Sequence, residues 1–535
     1  MRDAMALDKS AAAIESDIDS APKTHPLVSR PYTHAVFYLL GYADAKGAFD
    51  SHYLEMQDRA LTLSHTINAL KYALRWTGQF GPPRDAPLDG LMPSGYDEAA
   101  HLLEQATAYL LIVAAYSWAH RGLIDLSAKG HELTIAFRRE NDTRYEAYDM
   151  LTRPSVEPGH HNEPPDPAII EDQIARCFDR NLVLGSVPLA RNVWRTANRF
   201  ASDLSRGYYL LPPSWDVGGF TLADFRAVND AIRAVVFSWR FATDMAAAVD
   251  SAYPRFVPFK IRRRELISGI KDVTGLSKEI VQRVVSLLTY SRENASESDP
   301  ALRPLIAIGQ DVLLSAQLVL GASPERNLIA LLNTMPAEKA RYDQLKNDKE
   351  RVMRERLASR LPKHLRVWHG KVRRDLPDID CAIVDDFSHT VLITELKWFV
   401  EPDETRELAD RSEDIRKGVK QCKSLEEAYR RESSILAPVA SKITDVVFAV
   451  VSANAIGMAY VQDEDVAVIN EEHLLHALDS GASLQNVNCW LRQRRYLPVR
   501  NRDFEDVEPT VSFFDWQLTW YGFRPLVKDR YMPLP

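Results

Sequence analysis

The chain has 535 residues, 46% hydrophobic and 26% charged, with a net charge of −8. That length and apolar fraction provide for several packed domains and exclude a disordered chain. The negative balance excludes a uniformly basic nucleic-acid coat, so any grip on phosphates has to come from local charge.

Residues 1–29 read as a flexible tail without the apolar run of a secretory signal peptide. Residues 30–153 read as a helical domain, with apolar spacing near 3.6 around Tyr53–Trp76 and Glu98–Trp118. Its most apolar helix, Ala108–Ala119, is too short to cross a bilayer, so no membrane partner is expected. Leu123–Phe137 alternates and turns at Lys129-Gly130, which predicts a hairpin, either simply packed or the wing of a DNA-binding element. Pro154, Pro158, Pro164, Pro165 and Pro167 mark residues 154–167 as a linker. Within it, His160-His161-Asn162 resembles part of an HNH motif but lacks the strand–strand–helix context, and that reading is rejected.

Residues 168–337 read as a second, helical to mixed domain. Thr221 and Asp224 have the spacing of a capping box, and Phe225, Val228, Ile232, Val235 and Trp239 then form an apolar stripe. Lys260-Ile261-Arg262-Arg263-Arg264 opens a helix, Val273-Thr274-Gly275 ends it and Ser277 starts another. Two short helices around a glycine turn fit a structural helical hairpin, the more economical reading, or a helix-turn-helix with a basic lead-in. Residues 304–320 read as two strands around Gly309-Gln310. No internal repeat, phosphate-cradling GxxxxGK or dinucleotide fingerprint occurs, and no Ser-His-Asp set stands out.

The most informative stretch follows. Ile379–Val384 and Val391–Leu396 are apolar runs joined by the polar Asp385–Thr390, which predicts a β-hairpin. If the hairpin is symmetric about Phe387/Ser388, Asp380 lies directly opposite Glu395 and Asp378 opposite Lys397. Side chains alternate along a strand, so Lys397 shares a face with Glu395. Two carboxylates at cross-strand spacing can hold a Mg²⁺ ion, and an ammonium beside them can steady a water or offset charge on a phosphate.

Asp380 followed by Glu395-Leu396-Lys397 resembles the signature of the PD-(D/E)XK, or restriction-endonuclease-like, nuclease superfamily. The resemblance covers roughly residues 340–480. It implies a central mixed sheet flanked by helices, Mg²⁺ (or Mn²⁺) held by Asp380, Glu395 and the carbonyl of Leu396, and Lys397 assisting the attacking water. The literal Pro377-Asp378 pair competes for the first position, but strand alternation favours Asp380. The resemblance also implies an acid on the preceding helix, for which residues 338–360 offer Glu350 or Glu355. It implies a Gln or basic residue on the following helix, Asp410–Arg431, where Gln421 is the candidate. Thr444–Ser452 then reads as a buried strand and Asn470–Leu478 as a helix start.

Between Glu338 and Asp375 there are 13 Lys/Arg against 6 Asp/Glu. This surplus fits either a phosphate-binding stripe or a solvated helix face laced with ion pairs. The C-terminal extension, 486–535, is aromatic and basic; its rings fit either a base-stacking surface or, preferably, burial on the sheet. Cys177, Cys381, Cys422 and Cys489 are isolated, with no CxxC pair, so a zinc knuckle or disulfide framework is not expected and a reduced, cytoplasmic setting is.

The expected architecture is therefore an α/β nuclease domain at 338–485 preceded by a large, mainly α-helical N-terminal region. The expected activity is Mg²⁺-dependent hydrolysis of nucleic acid, DNA before RNA, in an endonuclease of bacterial defence or repair. Catalysis would rest on Asp380, Glu395, Lys397 and Gln421. The alternative is an inactive nuclease-fold scaffold or adaptor that binds nucleic acid or a protein partner through its helical region.

Overall fold

The computed structural model describes residues 12–53, 56–82, 85–88, 91–122, 124–137, 144–152, 166–181, 184–205, 209, 211–249, 256–294, 298–345, 347–398, 405–453, 456 and 466–527. The proline-rich linker lies outside the described residues apart from Asp166 and Pro167, and His160-His161-Asn162 with it.

In chain order the helices and strands begin with α1 (residues 12–20), α2 (Tyr32–Tyr53), α3 (Met56–Phe80) and α4 (Ser94–His120). The predicted hairpin is β1 (Ile124–Lys129) and β2 (Glu132–Phe137). Then come α5 (Arg144–Thr152), α6 (Ala168–Asn181), α7 (Arg191–Ser205) and α8 (Leu222–Val249). Next are β3 (Phe259–Arg262), α9 (Arg263–Thr274), α10 (Lys278–Leu287), β4 (Thr289–Tyr290), β5 (Leu305–Ile308) and β6 (Asp311–Leu314). Helices α11 (Ala316–Leu320), α12 (Pro324–Thr334), α13 (Pro336–Leu345) and α14 (Asn347–Arg360) lead to β7 (Arg366–Gly370), β8 (Ile379–Asp385) and β9 (Thr390–Lys397). The chain continues through α15 (Thr405–Arg431), β10 (Asp445–Ser452), β11 (Ala467–Asn470), α16 (Glu471–Asp479) and α17 (Leu484–Arg492). It ends in β12 (Phe504–Val507), β13 (Thr510–Phe513), β14 (Trp516–Thr519) and β15 (Gly522–Pro525).

The chain forms two compact units, one of residues 1–111, 155–342 and 512–516, the other of 112–154, 343–511 and 517–535. This division differs from the boundaries expected at 153/154, 337/338 and 485/486.

The first unit is mainly helical. Ile18, Leu27 and Val28 are buried in it, so residues 12–29 are packed structure and not a loose tail. The capping box forms as expected: Thr221 N donates to Asp224 Oδ2 at 2.8 Å, and Asp224 N donates to Thr221 Oγ1 at 3.2 Å. Phe225, Val228, Ile232 and Val235 of the stripe that follows are buried. The strands predicted over 304–320 are β5 and β6, joined at Gly309, followed by α11.

The second unit is built on a five-stranded sheet of order β11-β10-β9-β8-β7. The short turns make β7, β8 and β9 antiparallel. The crossover through α15 makes β9 and β10 parallel, and β11 joins in parallel too. Helices pack on this sheet, so β8, β9 and β10 read as near-continuous apolar runs. Helix α5 also belongs to this unit. Tyr145 Oη meets Tyr496 Oη at 3.0 Å, and Tyr148 Oη meets His473 Nδ1 at 3.0 Å, all buried.

Five aromatics of the C-terminal extension are core residues, while Phe514, Trp520, Tyr521 and Phe523 are half-buried. Trp490, Tyr496 and Phe504 are buried in the second unit, Phe513 and Trp516 in the first, where Phe513 lies 5.2 Å from the Tyr109 ring. All four cysteines are free thiols. Among the described residues no helix is long and apolar enough to cross a membrane.

Candidate metal centre

The hairpin has the predicted register. Cys381 pairs with Thr394, and the ladder runs regularly to Asp385 opposite Thr390. Asp385 holds the turn, its Oδ1 accepting from Phe387 N at 3.0 Å and Ser388 N at 3.3 Å, while His389 takes a positive φ of 56°. One step beyond the ladder, Asp380 sits against Glu395. Its Oδ2 accepts the Leu396 N–H at 2.9 Å, and its charge acts directly on the Glu395 carboxyl. Lys397 Nζ donates to Glu395 Oε1 at 2.6 Å. The sequence therefore brings Asp380, Glu395 and Lys397 together through alternation alone.

Asp378 does not join them. It lies outside β8, exposed, and pairs with Lys371 at 3.2 Å. Asp378 precedes the first residue of β8 and lies outside the β8–β9 ladder, so the alternation does not extend to set it opposite Lys397.

Two neighbouring helices complete the surroundings. From α14, Arg354 Nη1 donates to the Asp380 carbonyl at 3.2 Å. Glu350, one turn earlier, lies close enough to feel both Asp380 and Lys397, at the solvent-facing side of the site. Glu355 instead forms an exposed pair with Arg351 at 2.9 Å. From α15, Gly418 faces the strand. A Cβ there would stand 3.1 Å from Lys397 Cε, 3.2 Å from Glu395 Cγ and 3.2 Å from Val450 Cγ2. A side chain there would have to push Lys397, Glu395 or Val450 back by a few tenths of an ångström. Gln421 follows three residues later, half-buried, and among the described residues no hydrogen bond joins it to Asp380, Glu395 or Lys397. Cys422, the next residue, is buried with Sγ against the Ala449 carbonyl at 3.4 Å. Cys381 is a small core residue whose thiol burial pushes up to about 12, so both thiols stay protonated packing groups.

The electrostatics are those of acids in excess. Burial raises the pKa of Asp380. Burial and then the Asp380 carboxylate raise that of Glu395. Burial is the largest influence on Lys397 and works to lower its pKa, but the Glu395, Asp380 and Glu350 carboxylates together outweigh it and the net direction is up. Glu350 is raised by desolvation first and Asp380 second. The Lys397 ammonium and the Arg354 guanidinium thus face three carboxyls, an acidic excess that a bound cation would offset. Among the described residues no three His, Cys, Asp or Glu side chains converge into a ready-made ligand set. Mg²⁺ does not require one, because it retains several waters and takes one or two carboxylates. Asp380 and Glu395 fit that requirement.

Sequence reasoning missed Arg354 as a neighbour of Asp380 and the steric role of Gly418. A glycine in mid-helix beside Lys417 and Lys420 was the available signal for the latter. The basic surplus of 338–375 is largely spent on ion pairs: Arg356 with Glu471, Arg360 with Glu472 at 2.6 Å, Arg366 with Asp386 at 2.6 Å, and Arg373 with Asp375 at 2.7 Å. The stretch is thus more a paired scaffold than an open phosphate stripe.

A scan against models of known protein families, a search of curated proteins and a search of solved structures each return no match.

Proposed function

We propose that this chain is a Mg²⁺-dependent nuclease that hydrolyses phosphodiester bonds of nucleic acid, DNA before RNA. The observation that carries the proposal is the meeting of Asp380 and Glu395 at the end of the β8–β9 hairpin with Lys397 bonded to Glu395. The resemblance of Asp380 and Glu395-Leu396-Lys397 to the PD-(D/E)XK signature supports it.

Asp380 and Glu395 would hold Mg²⁺ or Mn²⁺, with the Leu396 carbonyl as a further oxygen. Bound there, the ion supplies Lewis acidity toward a phosphoryl oxygen and acidifies a coordinated water. The chain's own residues do the rest. The Leu396 N–H fixes Asp380 Oδ2, and Arg354 holds the backbone of the same residue. Lys397, which bonds Glu395 at 2.6 Å, would present its ammonium to the attacking water or to charge growing on the phosphate. Glu350 lies beside this centre, and Gln421, on the helix whose Gly418 faces it, would orient water or substrate at its rim. By resemblance, such an endonuclease would serve bacterial defence or repair.

A second reading rests on the same 2.6 Å contact: Lys397 and Glu395 already neutralise one another, as they would in a scaffold that has lost its chemistry. Both readings meet in one experiment. Full-length protein is incubated with linear duplex, single-stranded DNA and RNA in Mg²⁺, Mn²⁺ or EDTA, beside Asp380→Ala and Lys397→Ala. Metal-dependent cleavage that each substitution lowers on the order of a hundredfold or more is expected. Intact substrates under every condition, with folded protein, would leave the scaffold.

A further inference from the structure

In the first unit, α8, β3, α9, α10, the two-residue β4 and the β5–β6 hairpin follow one another in an order that none of the proposed chemistry uses, with β4 joining the sheet parallel to β5. Strand β6 pairs antiparallel with both β3 and β5, so the last strand of the hairpin lies between its partner and the strand that precedes the two helices. Helices α8, α9 and α10 pack together beside it. The turn between α9 and α10 is tight. Gly275 has a φ of 75°, its N–H bonds the Lys271 carbonyl at 2.8 Å, and the Ser277 hydroxyl caps α10 by accepting from Ile280 N at 3.3 Å. Helix, strand, helix, turn, helix, hairpin is the connectivity of a winged helix-turn-helix, with α10 in the place of the recognition helix.

The face that α10 leaves open says what it would meet. Val281, Val284 and Val285 are buried, and Lys278, Glu279, Gln282, Arg283 and Ser286 are exposed. That exposed row contains no apolar side chain, which argues against a protein groove as its partner, since such docking needs buried apolar anchors. The aromatics of the module, Phe259 and Tyr290, are buried, which argues against single strands held by stacking. The charge lies on the helical part: residues 259–290 carry seven Lys/Arg against three Asp/Glu, while the whole module through the hairpin, 259–314, carries nine against seven, in a chain whose net charge is −8. Arg262, Arg263 and Arg264 are all exposed at the start of α9. Arg263 ties this end to the other elements: its Nη2 donates to Ser286 Oγ at 2.7 Å, and its N–H to the Gln310 carbonyl in the hairpin turn at 3.1 Å.

We propose that this module binds double-stranded DNA, with α10 in the major groove, Lys278 and Gln282 toward base edges, and Arg262 and Arg264 on phosphates. Ten residues of helix, about 15 Å long, suit a groove about 12 Å wide. The deep, narrow major groove of A-form RNA does not admit a helix.

The test is a binding titration in EDTA, so that it stands apart from the cleavage proposed above. A labelled duplex of about 30 base pairs is titrated with full-length protein and followed by fluorescence anisotropy at several salt concentrations. Saturable binding that prefers duplex DNA over single-stranded DNA and duplex RNA is expected. Lys278→Glu with Gln282→Ala should weaken it at least about tenfold, the cost of one good base contact. Arg262→Ala with Arg264→Ala should reduce the slope of log K against log salt by about 2. All four residues are exposed, and an unchanged melting temperature confirms that each variant is folded. Absence of duplex binding, equal binding of single strands or RNA, or wild-type affinity and salt slope in both folded variants would overturn the proposal, the last leaving α10 a protein-docking or purely structural helix. A protein that binds duplex in EDTA but cuts nothing in Mg²⁺ keeps this inference and loses the nuclease.

Discussion

Two corners of the sheet-containing unit each bury a carboxylate, and they resolve the cost in opposite ways. At one, Glu471 is fully buried and takes both Nε (2.9 Å) and Nη2 of Arg356 in a bidentate pair, with the guanidinium lying 5.1 Å from the Trp398 ring. At the other, Glu395 is almost as deeply buried, yet its ammonium partner Lys397 also has to answer for Asp380 and Glu350. Burial raises the pKa of both acids, but at Glu471 the next influence is the arginine pulling it back down, whereas at Glu395 it is a second carboxylate pushing it further up. On the proposed function, the difference separates charge that holds a fold together from charge that would be completed by a ligand. A structural acid comes with a geometrically matched cation of its own. The hairpin site pools three acids around one lysine and the nearby Arg354, an acidic surplus that costs stability.

The largest effect that can break this comparison is at the satisfied corner. Arg356→Ala leaves Glu471 as an unpaired buried carboxylate and should cost about 3–5 kcal/mol. Urea unfolding followed by tryptophan fluorescence measures it. A loss below about 1 kcal/mol would mean that Glu471 is solvated or protonated, and the contrast with Glu395 would collapse.

A third buried acid sharpens the scale, because it has neither arrangement. Glu146 accepts a hydrogen bond from Tyr521 Oη at 3.0 Å through Oε2, and its Oε1 has no hydrogen-bond partner. Burial, opposed by the tyrosine and reinforced by Asp149, lifts its pKa from 4.5 to about 8. The folded state therefore keeps a proton that the unfolded state has released between pH 4.5 and about 8. In that window stability falls as pH rises, by at most about 1.4 kcal/mol per pH unit, and below and above it Glu146 adds no slope. Glu146→Gln should flatten this part of the profile and stabilise the protein most at its alkaline end. Urea midpoints from pH 4 to pH 9 check it, and an unchanged slope would show the carboxyl to be ionised throughout.

How much of this was legible in the sequence follows from the range of each interaction. The hairpin and its Asp380–Glu395 apposition depend on period-2 alternation and one turn, both local, and the sequence carries both plainly. Asp378 was misplaced because alternation was carried one residue pair past the start of β8, and nothing in the sequence marks where it ends. Helix α5 was assigned to the N-terminal region because its anchors, Tyr496 and His473, lie more than 300 residues away. No local period records such a contact. The basic run 338–375 was legible as charge but not as pairing, since Glu471, Glu472 and Asp386 come from other elements. The aromatic extension divides for the same reason, with Trp490 and Phe513 serving different cores.

The smallest effect is the one that bears most directly on the site, and it is Glu395→Gln. Substitution removes the repulsion between two buried carboxyls, which favours the variant, and also removes the acceptor charge at 2.6 Å from Lys397, which does not. Asp380 remains near enough to take over the ammonium, so little of the second term is lost. The two contributions leave a net gain of about 1 kcal/mol in EDTA, within the range by which neutralising a like-charged, functional pair stabilises a protein. Addition of Mg²⁺ should reverse the ranking. Wild type gains RT ln(1 + [Mg²⁺]/Kd), about 2.7 kcal/mol at a hundredfold excess over Kd, and Glu395→Gln, with one carboxylate left, gains little. Melting curves of both proteins in EDTA and across a Mg²⁺ series read out the crossing. A wild type whose melting temperature ignores Mg²⁺, or a variant less stable than wild type in EDTA, would place Glu395 with Glu471 as an acid that serves the fold.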